Sequence, residues 1–143
     1  MNVNTVIEIT KKEEKTLKEF LAALRAERDA IISFSLEGII EGNNRKEEIL
    51  RKLEYLKTEK ERFLENVDDR EEITSNRTIQ SLNGEMAAVM KEIKKALDKN
   101  MKLLSFSIDH VRSSIENIIG HISTIGYGKK REDLSSVLLS KVI

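Results

Sequence analysis

From Leu97 to Ile125 the apolar residues Leu97, Met101, Leu104, Ile108, Val111, Ile115, Ile118, Ile122 and Ile125 alternate steps of four and three without a miss. This spacing is that of one helix with a continuous apolar face. A preceding line, Ile79, Leu82, Met86, Val89, Ile93 and Ala96, is offset from it but has the same period, so a single helix is expected from Thr78 to Ile125. At 1.5 Å per residue it is about 72 Å long, roughly twice the ~37 Å diameter of a compact globule of this chain length. The molecule must be elongated, and everything else has to fold along that rod. Proline, usually about 5% of residues, is missing from all 143 positions, and Leu, Ile, Glu and Lys abound, which favours long uninterrupted helices.

Two further helices can lie against it. The first is expected over about 5–41. Thr10 and Glu13 read as a capping box, although Val3, Val6 and Ile7 extend the pattern backwards, and the stripe is Leu17, Phe20, Leu21, Leu24, Ile31 and Phe34. Gly42-Asn43-Asn44 is the expected stop, after a second apolar edge of Ile32, Leu36, Ile39 and Ile40. The next helix, about 45–68, is capped by Asn44 with Glu47 and carries Ile49, Leu53, Leu56, Phe63 and Val67, with Lys60 the one polar intruder. Residues 68–76 have no helical period and read as the long connection. The fold class is therefore all-α, an elongated antiparallel three-helix coiled-coil bundle over residues 1–125 with a very long last helix. Beyond it, Gly126-Tyr127-Gly128 breaks the helix, Lys129-Lys130-Arg131 follows, and Leu134, Val137, Leu138 and Val142 form one face of a short amphipathic tail helix within 126–143.

Composition removes most chemistry. The charge balance is 25 Lys+Arg against 25 Asp+Glu, interleaved, with no basic footprint for nucleic acid or anionic lipid. Cysteine is absent, so there is no thiolate nucleophile or Cys-ligated zinc. His110 and His121 lie about 16 Å apart along one helix and cannot share a metal. Neither has the Glu three residues before it that a carboxylate-bridged bundle site needs. No phosphate loop, nucleophile elbow or HExxH occurs. The expectation is no enzyme, no cofactor and no metal. With no secretory leader and no run of 18 apolar residues, the chain is expected in the cytoplasm without stable membrane insertion.

Some polar residues sit where apolar ones are expected. Glu27 and Arg28 interrupt the first stripe and Asn100 falls between the two stripes of the last helix; such residues fix register in coiled-coil seams or line a binding site. Residues 31–37 (Ile-Ile-Ser-Phe-Ser-Leu-Glu) also resemble residues 103–109 (Leu-Leu-Ser-Phe-Ser-Ile-Asp). If these segments face each other, the serines permit close approach and the phenylalanines interdigitate.

Three stretches, taken in order, resemble a known family: residues 46–50 with Leu53, Leu56 and Arg62; Asn100 with Leu103, Leu104, Ser107 and Val111; and Tyr127-Gly128 directly after the long last helix. The chain resembles the FlgN-type flagellar export chaperones. One departure is Lys129-Lys130-Arg131, where a further glycine often follows the Tyr-Gly pair. The resemblance implies a chaperone that binds the amphipathic C-terminal helices of the hook-filament junction proteins, hook-associated proteins 1 and 3, and delivers them to the type III export apparatus.

Such binding needs an apolar groove that is open or replaceably covered. Leu104, Ile108, Val111, Ile115, Ile118 and Ile122 are the expected client-binding positions. The tail face of Leu134, Val137, Leu138 and Val142 is the expected cover, hinged at Gly126 and Gly128. Two alternatives use the same features: a self-associating adaptor coiled coil, dimeric through bundle or tail, and a membrane-surface protein using the basic tail. A chaperone for another flagellar client, such as the filament cap protein, is a third.

Overall fold

The structure, a computed structural model, describes residues 2–67 and 70–122. Among these all regular structure is helical: α1 (Asn2–Ile32), α2 (Leu36–Glu65), the single-turn α3 (Arg70–Thr74) and α4 (Arg77–Ile122). The central core joins Phe20, Ala23 and Leu24 of α1 to Ile49 of α2 and Ile93 of α4, with Leu24 fully buried. Contacts along the chain fix the directions. Ion pairs Glu13–Lys60, Glu19–Lys52 and Glu27–Lys46, at 3.0, 3.7 and 2.5 Å, run α2 antiparallel to α1. Val6 packs by Ile79 and the Leu24 carbonyl meets Asn100, so α4 runs parallel to α1. α1 is the central helix, packed along both neighbours, while α2 and α4 touch each other only sparingly. Lys60, the polar intruder in the second stripe, is explained by its bond to Glu13.

With 46 residues α4 is about 69 Å long at 1.5 Å per residue. α1 and α2, at 31 and 30 residues, reach only about 46 Å. The elongated all-α bundle is as expected, but three boundaries differ. The turn between the first two helices lies at residues 33–35, not at Gly42-Asn43-Asn44, and α2 passes straight through those residues. Ser35 is the N-cap, its hydroxyl accepting from the Gly38 amide at 3.1 Å, so Asn44 caps nothing and Leu36, Ile39 and Ile40 belong to α2. The early turn is favoured by close contact of α1 and α2: a Cβ on Gly38 would sit 2.8 Å from the Ala30 Cβ, and one on Gly42 would touch Glu27. Packing here outweighs the ~1 kcal/mol helix penalty of each glycine. Thr10 is likewise not a cap. It lies inside α1, buried, with its hydroxyl donating to the Val6 carbonyl at 2.7 Å. Finally, α3 interrupts the long connection, inserting Ile73 against Val6 and Ile79, and Asn76 caps α4 by accepting from the Ile79 amide at 3.1 Å.

Gly38 and Gly84, both within helices but in different surroundings, give opposite expectations. Gly38→Ala forces Ala30 or the turn to move and should cost about 1–3 kcal/mol. Gly84 is exposed in α4 with nothing within 4 Å of an added Cβ, so Gly84→Ala should stabilise by up to ~1 kcal/mol. Urea unfolding of the two variants checks both signs.

Candidate functional site

The two ends of the bundle are built differently. At the end where α1 begins, Val6, Ile73 and Ile79 are buried together, with Phe63, Leu64 and Val67 against them. At the opposite end the apolar side chains stay exposed: Ile32, Phe34, Leu36 and Ile40 around the α1–α2 turn, and Met101, Leu104, Phe106 and Ile118 on α4. An apolar concentration of this kind marks an interaction surface in a soluble fold.

Because α2 and α4 splay, a slot opens between them with α1 as its floor. At the open end the slot forms a pocket of about 170 Å³ whose walls are Leu36, Ile39, Ile40 and Asn43 of α2 and Leu104, Ser107, Ile108 and Val111 of α4, with Ile31 of α1 and Phe34 of the turn completing the lining. Phe34 is the only described non-glycine residue with positive φ, at 54°. This left-handed conformation costs an L-residue about 1–2 kcal/mol. The turn spends it to hold an aromatic ring, 57% exposed, at the pocket mouth, 6.2 Å from the His110 ring. Strain of this kind, found at a pocket, points to function. Phe34→Gly is therefore expected to leave the thermal midpoint unchanged or raised while weakening whatever the pocket binds, a pairing that melting and titration of the same variant read out.

Three of the six expected client-binding residues, Leu104, Ile108 and Val111, line this pocket. Ile115, Ile118 and Ile122 continue along α4 beyond the level of the α1–α2 turn. Ile118 is 60% exposed, whereas Ile119, not part of the sequence stripe, is buried. Met101 is likewise 71% exposed beside the buried Asn100. At 3.6 residues per turn Asn100 and Ile119 point about 100° apart around α4, so its buried side is not the single line that the four-three repeat marks. The repeated segments 31–37 and 103–109 both contribute to the pocket, but their phenylalanines do not interdigitate: Phe34 lies near His110 and Phe106 is exposed.

Below the pocket a polar layer ties the three helices together. Glu27 of α1 is ion-paired with Lys46 of α2 at 2.5 Å and accepts from the Asn100 amide of α4 at 3.0 Å. The same amide nitrogen donates to the Leu24 carbonyl at 2.9 Å. Both partners are acceptors, which orients the Asn100 amide and leaves its buried Oδ1 without a partner. Glu27 and Asn100 stand out in the sequence as polar residues in apolar stripes; Lys46 does not. Arg28 is exposed and outside the layer.

Among the described residues no group of three or more His, Cys, Asp or Glu is placed to hold a metal ion. No helix among them is long and apolar enough to cross a membrane. Gly126, Gly128, Leu134, Val137, Leu138 and Val142, the expected hinge and cover, lie outside the described residues.

A family model, described as FlgN protein, matches residues 1–133. The chain belongs to the FlgN family. Comparisons with curated proteins and with solved structures gave no match. Members of the FlgN family are flagellar export chaperones, and an apolar slot suits the holding of an export substrate.

Proposed function

We propose that this FlgN-family chain acts in the cytoplasm on hook-associated proteins 1 and 3, holding their amphipathic C-terminal helices and handing them to the type III export apparatus. The observation that carries this reading is the open end of the bundle. There Leu104, Ile108 and Val111 face Leu36, Ile39 and Ile40 across a gap that a helix can fill with its apolar face. Ile115, Ile118 and Ile122 prolong that surface along the part of α4 that outreaches α1 and α2, giving a client helix a longer track than the pocket alone.

The domain division of the sequence, a bundle over 1–125 and a hinged tail over 126–143, belongs to the same proposal. The tail face of Leu134, Val137, Leu138 and Val142 is an exchangeable cover that a client helix of similar pattern displaces, swinging on Gly126 and Gly128. Co-purification tests the proposal: both junction proteins should be retained from an extract by the intact chain. Retention of neither, or normal secretion of both by a motile strain lacking this gene, would contradict it.

A further inference from the structure

The slot does not end at the polar layer. On the far side of Glu27, Lys46 and Asn100 the same two helices frame a second opening over α1, about 570 Å³, lined by Phe20, Leu50, Leu53, Met90, Ile93 and Leu97. Asn43 borders both openings, so they are two compartments of one slot. Leu50 and Met90 remain exposed, at 50% and 38%, although both lie beside the central core. From Met90 to Val111 the slot runs about 32 Å at 1.5 Å per residue.

Resting on the chaperone reading above, we propose that the client helix lies lengthwise in this slot and fills both compartments. The other occupants fit less well. The apolar set 134–142 of this chain spans only about 12 Å as a helix, enough for one compartment. A second copy related by a two-fold axis would bring slot against slot, concave to concave, and fill neither. A convex helix of about 21 residues matches the length.

The C-terminal helical segment of hook-associated protein 1 serves as probe, titrated calorimetrically against the full chain. Leu50→Asp with Met90→Asp alters only the second compartment, at positions already exposed, and should weaken binding by about ten-fold or more. Unchanged affinity, with binding still lost in Leu104→Asp/Ile108→Asp, would overturn the two-compartment arrangement and leave the chaperone reading standing. Failure of the segment to bind the unaltered chain would sink both. Should the aspartates unfold the protein, a fluorophore on Leu50→Cys, the sole thiol of a cysteine-free chain, gives the second measurement. Its emission should shift blue on adding the segment, and no shift overturns the proposal.

Discussion

Glu27→Ala should lower the unfolding free energy of this chain by several kcal/mol, while Glu27→Leu combined with Asn100→Leu should leave it nearly unchanged. The single substitution removes the ion-pair partner of Lys46 and one of the two acceptors of the Asn100 amide from a layer in which Glu27 and Asn100 are buried. Breaking a buried ion pair from one side costs about 3–5 kcal/mol. Lys46 retains 20% side-chain exposure and can reach water, which reduces the expectation to roughly 2–4 kcal/mol. In the double variant the desolvated amide and carboxylate disappear together, and apolar groups of similar size take their space. Such replacements are often neutral or stabilising, so a change within about 1 kcal/mol is expected. Urea unfolding of the two variants gives the comparison. Equal and large losses in both would show that the layer contributes stability in its own right and does not serve to set the register of three helices.

The largest functional effect is expected from Leu104→Asp with Ile108→Asp. Both side chains line the pocket and neither is fully buried in the free chain, so helicity should be largely kept. In the complex each would lose the ~1.5–3 kcal/mol of a buried aliphatic side chain, and together they should weaken client binding by about two to four orders of magnitude. Ile115→Asp and Ile118→Asp extend the test beyond the pocket. Ile118 tolerates the charge in the free chain because it is 60% exposed, so a loss of binding there reads directly on the client. If instead the pocket pair unfolds on substitution, judged by circular dichroism, those residues are core and the client site must lie elsewhere.

The long-rod character and the helical class were legible because a period repeated over nearly fifty residues averages out local noise. The turn between the first two helices was not. Gly42-Asn43-Asn44 carries a stronger local stop signal than Ser33-Phe34-Ser35, and nothing in single-sequence pattern indicates that a phenylalanine will take the left-handed conformation. What decided it was contact between Ala30 and Gly38, which is tertiary information. Glu27 and Asn100 were visible as intruders in apolar stripes, but Lys46, one of many lysines on α2, gave no signal of its own. Along α4 the four-three repeat identified the apolar side, and Leu104, Ile108 and Val111 reach the pocket together. Ile119 was missed because it lies outside that repeat, on another side of the helix from the buried Asn100.

Hydrogen exchange on the intact chain, with and without the C-terminal segment of a junction protein, tests most directly whether the open end of the slot is where the client sits. The expected result is slowed exchange along the slot, in the turn and α2 over residues 31–53 and in α4 from Met90 onward, with the closed end around Val6, Ile73 and Ile79 unchanged. Binding accompanied by protection at the closed end alone, or no protection around Leu104, Ile108 and Val111, would contradict it.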